Sequence, residues 1–240
     1  MYQRFLIRPL IASLLLLTAV ASAALSDESI PPPLKKYYGR RIATTMHYLG
    51  APWLTRDSRV REEDCETLLG ALKIQPGQTV CDMGCGNGFY SLPMAKLVGE
   101  KGKVIAVDIQ REMLGLLKDR AAAEGIGNIE PTHGSVVDPQ LEPNSVDLVL
   151  MVDVYHEFSH PEQMLKAIRD SLKPNGRVAL AEFRAEDRNV PIKKLHKMSK
   201  KQILKEFEPN GFKLVEEFDE LPWQHLMFFE RGDSANARPN

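Results

Sequence analysis

The chain has 240 residues, of which 43% are hydrophobic and 26% charged, enough for one sizeable core with no composition shift marking a second. Its formal net charge of -1 excludes a global field that would recruit nucleic acid or an anionic membrane surface. No internal repeat or coiled-coil period is present.

In chain order, the first segment is MYQRFLIRPLIASLLLLTAVASAALS. It carries Arg4 and Arg8, an uncharged apolar run from Pro9 to Val20, and small residues in which Ala21-Ser22-Ala23 fits an A-x-A cleavage site. The run is shorter than the ~20 residues a spanning helix requires. Residues 1–23 are therefore expected to be a signal peptide removed on export, leaving no stable membrane span and placing the chain outside the cytoplasm, in the periplasm or cell envelope if it is bacterial. Residues 24–36, with SDESIPPP, read as an extended linker. Residues 37–70 read as a helical lid, with Tyr37, Tyr38 and Arg41 on its first helix. The main domain is expected over 71–231, followed by an unstructured tail over 232–240. Cys65, Cys81 and Cys85 lack metal-ligand spacing, so free thiols are expected and no metal ion.

From there strand and helix signals alternate. Strands are predicted at Thr79 to Met83, Val104 to Asp108, Ile129 to His133, Val146 to Met151 and Arg177 to Phe183; helices at Tyr90 to Val98, Arg111 to Glu124 and Pro161 to Leu172. Turn residues agree, with GEKG, GIGN and KPNG before the second, third and fifth strands. Such alternation predicts a doubly wound α/β fold, a mostly parallel sheet with helices on both faces. The last stretch, FKLVEEFDELPWQHLMFFE, joins two apolar runs without a helix, which only an antiparallel pair allows.

The segment VCDMGCGNGFYS, Val80 to Ser91, follows the first of these strands and opens the first helix, at the sheet edge where open α/β folds bind ligands. Glycines there let a ligand approach the main chain. The dinucleotide spacing GxGxxG fails, because Gly88 comes one residue early and Phe89 takes the third glycine's place. A phosphate-cradling Gly-Lys-Ser/Thr is missing too. Asp82 beside the loop would repel a phosphate and favour a ligand that presents a cation or hydroxyl donors. S-adenosylmethionine is such a ligand.

From about Gly70 to Glu230 the sequence resembles the class I S-adenosylmethionine-dependent methyltransferases, whose first motif reads hydrophobic-D-x-G-C-G-x-G. The resemblance implies a seven-stranded sheet with a reversed C-terminal strand and a cofactor loop formed by Asp82, Gly84, Cys85, Gly86 and Gly88. VIAVDIQ looks like the second-strand motif, implying that Asp108 takes both ribose hydroxyls and Ile109 flanks the adenine. SVDLVLMVDVYHEF resembles the fourth-strand motif of the ubiquinone-biosynthesis-like branch, implying Met151 and Asp153 near the methionine moiety. SLKPNGRVALAEF fits the turn and strand that follow. One departure stands out. Where that branch usually reads glycine-acid-alanine, this chain has Gly134-Ser135-Val136, so Ser135 and Val136 are expected beside the adenine with Asp138 substituting for the acid.

On the acceptor side, His156 and Glu157 follow the fourth strand and are the best general-base candidates. A run from Glu182 and Arg184 through Lys193, Lys194, His196, Lys197, Lys200 and Lys201 could cover the cleft and draw in an anionic acceptor, or simply form a solvated face. It lacks the interleaved aromatics that stack bases, so a small molecule is the expected acceptor, not nucleic acid. The rival reading is a non-catalytic protein that keeps the fold and binds the cofactor. A nicotinamide oxidoreductase is disfavoured by the glycine spacing.

Overall fold

The computed structural model describes residues 30–232; the expected signal peptide, the start of the linker and all but the first residue of the tail lie outside the described residues. The main-domain strands run through a seven-stranded sheet, β3 (Thr79–Met83), β4 (Lys103–Asp108), β5 (Ile129–His133), β6 (Val146–Val152), β7 (Leu172–Phe183), β8 (Phe212–Phe218) and β9 (Gln224–Arg231), numbered after two short N-terminal strands. Their spatial order is β5-β4-β3-β6-β7-β9-β8. All neighbours up to β7 are parallel, and β9 alone runs the other way, paired antiparallel with both β7 and β8. The five residues between β8 and β9 (219–223), which follow α7 (Lys200–Phe207), leave no room for a crossover, which is why β9 reverses.

Period-two alternation assigns the faces. Cys81, Met83, Val149, Met151, Val178 and Leu180 point into a core closed by α6 (Pro161–Ser171) and α7, while Val80, Val104, Leu148, Leu150 and Ala179 face α3 (Cys65–Ala71) and α4 (Ser91–Val98). Leu114 and Leu117 of α5 (Arg111–Ala123) cover Ala106 beside Cys85. The three cysteines are free and buried. β7 starts five residues earlier than predicted, because Leu172 pairs with Val146 across a register shift and draws the KPNG turn into the strand.

The N-terminal segment differs most from expectation. Tyr37, Tyr38 and Arg41 are not on a helix: Lys36–Tyr37 (β1) and Arg40–Arg41 (β2) form a small hairpin. Tyr38 and Gly39 both take positive φ (45° and 92°), the two-residue turn whose twist suits a hairpin. Helix begins only at α1 (Ala51–Leu54), followed by α2 (Arg59–Glu63) and α3. The hairpin is fastened to the main body by Arg40, which donates from Nε and Nη2 to the two oxygens of buried Glu206 (2.7 and 2.8 Å) and from Nη1 to the His156 carbonyl. No helix among the described residues is long and apolar enough to cross a membrane.

Candidate active site

The carboxyl ends of β3, β4, β6 and β7 open into a cavity of about 660 Å³. Its outer wall is the segment between β2 and α2, from which Thr44, Met46, Trp53, Leu54 and Arg56 line the space. This strap is held at one end by Arg40 and by the Ala43 N–H bonded to the His156 carbonyl, at the other by buried Arg59, which donates to the Leu54 carbonyl (2.8 Å) and lies over the Phe89 ring (4.1 Å). Its middle is pinned by Gln110, whose side chain donates to the Met46 carbonyl (2.9 Å) and accepts from the Tyr48 N–H (2.8 Å).

The glycine loop wraps the end of β4. Gly84 and Cys85 donate their N–H groups to the Val107 carbonyl, and Gly86 donates to Asp108 Oδ2 (2.9 Å). Gly84, Gly86 and Gly88 all have positive φ (70°, 53° and 81°), and each Cβ would collide with a different neighbour. At Gly84 the obstacle is Val154 (2.4 Å), at Gly86 it is Leu54 of the strap (2.5 Å), and at Gly88 it is Leu117 and Leu92 of the core (2.8 and 2.9 Å). The loop thus separates a packing glycine, Gly88, from two that set how closely chain approaches the cavity.

Asp108 lines the cavity with its carboxylate fixed from behind: Oδ1 accepts from the Gln110 N–H (2.8 Å), Oδ2 from Gly86. A carboxylate offers about four acceptor positions, so two are left for hydroxyl donors. Burial raises its pKa, and the hydrogen bonds from Gln110 and Gly86 restrain that rise. Ile109, Ser135 and Val136 stand on the same wall, while Asp153 and Gly84 form the floor toward β6. Asp153 is in the left-handed region (φ 51°), and its Oδ2 accepts from Gln224 while buried Oδ1 has no partner. Burial, with Glu63 and Glu182 nearby, pushes its pKa well up. An unsatisfied buried carboxylate oxygen at a cavity wall is a position for a donor the ligand brings.

Other expected cofactor residues lie off this wall. Asp82 is buried beneath the loop, its Oδ2 accepting from the Ser91 hydroxyl (2.5 Å) at the start of α4; burial raises its pKa to about 6. It shapes the loop from below, because the alternation that sends Met83 to the cavity sends Asp82 the other way. Cys85 packs with Ala106, Leu114 and Leu117, and Met151 is fully buried in the core under α6. Asp138 is not among the cavity-lining residues: it is exposed and accepts from the Gln140 N–H and side chain as a turn residue.

At the other end, His156 Nδ1 lies 2.7 Å from Glu182 Oε2, and the His156 N–H donates to Glu182 Oε1 (3.1 Å). A carboxylate can only accept, so Nδ1 carries the proton and Nε2 faces the cavity side. Nε2 lies 3.0 Å from His196 Nδ1 and 3.9 Å from Glu157 Oε1. Burial alone would lower the His156 pKa, but Glu182 and then Glu157 outweigh it and the net shift is upward. Glu157 is pushed up to about 7 by burial, against the pull of His156 and of the Met46 N–H it accepts. Glu182, expected at the head of a basic run, is instead fully buried as the partner of His156. The run itself disperses: Lys193 and His196 line the cavity, Lys200 pairs with Glu217 and Asp219, and Arg184 braces the Pro222 and Asp219 carbonyls.

Comparison with known proteins agrees with this geometry. Residues 74–226 match the family described as "Methyltransferase domain". The fold is similar to a SAM dependent methyltransferase from Aquifex aeolicus, at TM-score 0.73 and 26% identity over 77% of this chain and 98% of that one. Demethylmenaquinone methyltransferase of Oceanobacillus iheyensis is 29% identical over 111 residues, 46% of this chain and 47% of that protein. The ubiquinone/menaquinone biosynthesis C-methyltransferase of Vibrio cholerae is 29% identical over 110 residues, covering 45% and 42%. The match thus spans about half the length of these curated relatives. The chain belongs to the methyltransferase domain family, in the class I S-adenosylmethionine-dependent group that resembles the ubiquinone-biosynthesis enzymes. A [4+2]-cyclase shares the fold at TM-score 0.60 and 15% identity, so the acceptor chemistry must be argued from the site.

Proposed function

We propose that the chain is exported and transfers a methyl group from S-adenosylmethionine to a small, largely apolar acceptor bearing an ionisable hydroxyl or acidic carbon. The observation that carries this is one continuous cavity with Asp108 and Gly84 at one end and the Glu182-backed His156 at the other.

The cofactor half fits S-adenosylmethionine on its own donor set. Asp108 has two acceptor positions left for ribose hydroxyls, Ile109, Ser135 and Val136 offer a wall for the adenine, and the unpartnered Asp153 oxygen suits the ammonium. When bound, S-adenosylmethionine supplies a methyl group on a positively charged sulfonium. The chain's part is to align the acceptor, exclude water and take up a proton. Trp53, Phe158, Phe183 and Ile192 give the acceptor an apolar enclosure, and His156 Nε2 accepts its proton while Glu182 stabilises the imidazolium that forms. The relatives named for demethylmenaquinone and ubiquinone support an acceptor of ring-bearing, apolar type.

The reading is tested by replacing His156 with alanine and assaying methyl transfer to phenolic and quinol acceptors beside calorimetry with S-adenosylhomocysteine. Cofactor affinity should stay nearly unchanged while kcat falls by about 10²–10⁴-fold, the range for a lost general base. Full activity in that variant removes His156 from the chemistry. A wild type that binds the cofactor but methylates nothing in envelope extracts favours the non-catalytic alternative.

A further inference from the structure

His156, Glu157 and His196 offer one ligand atom each, and these atoms lie within 4.8 Å of one another at the cavity wall. We propose that this trio is a binding site for a divalent transition-metal ion of the zinc type, held at the acceptor end of the cavity.

Three features support the assignment. First, the atoms that face each other are the right ones. Glu182 fixes the proton on His156 Nδ1, which leaves Nε2 as the free electron pair, and His196 turns Nδ1 toward it at 3.0 Å with the rings near perpendicular (85°). Two imidazole nitrogens at that distance share one proton. The ion would replace it. Second, the separations suit the exchange: ligand atoms around a tetrahedral ion at ~2.0–2.1 Å stand about 3.3 Å apart. The observed 3.0 and 3.9 Å from His156 Nε2 bracket that value and all three atoms lie within 4.8 Å, so shifts of up to about 1.5 Å close the set. Third, the outer shell is in place. A carboxylate on the far nitrogen of a ligating histidine orients the ring and raises its basicity, and Glu182 is that group, fully buried.

Two imidazoles and one carboxylate leave at least one coordination position open toward the cavity, as in catalytic rather than structural zinc sites. Glu157 as ligand and Glu182 behind His156 are the acidic groups of the site, opposed by Lys193 near His196 and by Arg40, which donates to the His156 carbonyl. An acceptor hydroxyl would bind at the open position and become more acidic there. With the ion present, His156 serves as ligand and the ion takes over activation of the acceptor. That consequence rests on the methyltransferase reading, whereas the ion site does not.

The test uses the full chain stripped with a chelator and titrated calorimetrically with zinc sulfate alone, beside cobalt chloride followed by visible absorption. The expected result is one Zn²⁺ per chain with saturation at micromolar metal and a cobalt ligand-field spectrum from the same stoichiometry. His196→Ala, on a partly exposed turn, should weaken Zn²⁺ at least tenfold and erase the cobalt bands. Glu182→Gln should weaken it by about 10–100-fold while all three ligands stay present. S-adenosylhomocysteine binding measured on the same samples reports separately on the cofactor half and on folding. Absence of saturable uptake, or equal affinity in wild type, His196→Ala and Glu157→Gln chains that still bind S-adenosylhomocysteine, would overturn the site. Uptake as expected in a chain that never binds S-adenosylhomocysteine would uphold it and instead defeat the methyltransferase reading.

Discussion

At the scale of single residues, Asp82 before the glycine loop and Asp108, which the loop's Gly86 bonds, divide their work. Asp108 faces the cavity with two acceptor positions open, and charge-assisted hydrogen bonds to hydroxyls contribute roughly 1.5–3 kcal/mol. Asp108→Ala should therefore weaken S-adenosylhomocysteine at least tenfold in calorimetry, with the circular dichroism spectrum unchanged. Asp82 is turned away and buried on Ser91, so its effect is on stability. Its folded pKa of about 6 lies above the ordinary 3.8, so the folded chain holds this proton more tightly than the unfolded chain. The associated stability is fully present below pH 3.8 and is lost as pH rises through 6, by about 3 kcal/mol at most. Urea unfolding of wild type against Asp82→Asn, which cannot ionise, should show the wild type falling behind over that interval. A constant difference from pH 4 to pH 7 would contradict the assignment.

At the scale of elements, much was legible and the failures are instructive. Strands Thr79 to Met83 and Ile129 to His133 were predicted to the residue, the first as a buried apolar stretch and the second, IEPTH, because GIGN before it and Gly134 after it bound it. The loop's glycines were legible as a set but not in their separate duties. Only packing shows that a Cβ at Gly88 meets Leu117 and Leu92, whereas one at Gly86 meets Leu54 of the strap. Gly88→Ala should accordingly lower the melting temperature, and Gly86→Ala should act mainly on cofactor affinity through a displaced strap. The N-terminal hairpin was misread as helix because Tyr-Tyr-Gly-Arg-Arg carries no periodicity, though Gly39 was the available clue to a two-residue turn. Breaking its fastening tests its importance. Arg40→Ala leaves Glu206 buried without its cation, which costs about 3–5 kcal/mol for such pairs, and denaturant melts should show a loss of that order.

At the scale of the whole molecule, the parallel sheet and its antiparallel end followed from the alternation of elements and the missing crossover, while the strand order shows only in the fold. The acceptor half was legible in part: His156 and Glu157 were base candidates and His196 stood in the basic run, but that Glu182 and His196 meet His156 shows only in the fold. For Glu182 the available signal was a carboxylate inside the apolar run VALAEF, which a strand buries only for a partner. The sites sit on the end of one cooperative sheet, so ligand binding should be felt throughout. At one hundred times its Kd, S-adenosylhomocysteine should stabilise the chain by about 2.7 kcal/mol, measurable as a rise in melting temperature that Asp108→Ala reduces.

The strap is tied down at both ends, by Arg40 on Glu206 and by Arg59 on the Leu54 carbonyl and the Phe89 ring, and pinned between them by Gln110, by Glu157 on the Met46 N–H and by Asn87 on the Ala51 carbonyl. A band fixed at two points opens by bowing, not by swinging, and bowing exposes both halves of the cavity through one doorway. Traffic through it is then sequential: the molecule seated deeper leaves second. If opening limits turnover, kcat should fall as solvent viscosity rises, and cutting the Gln110 pin with alanine should weaken that dependence.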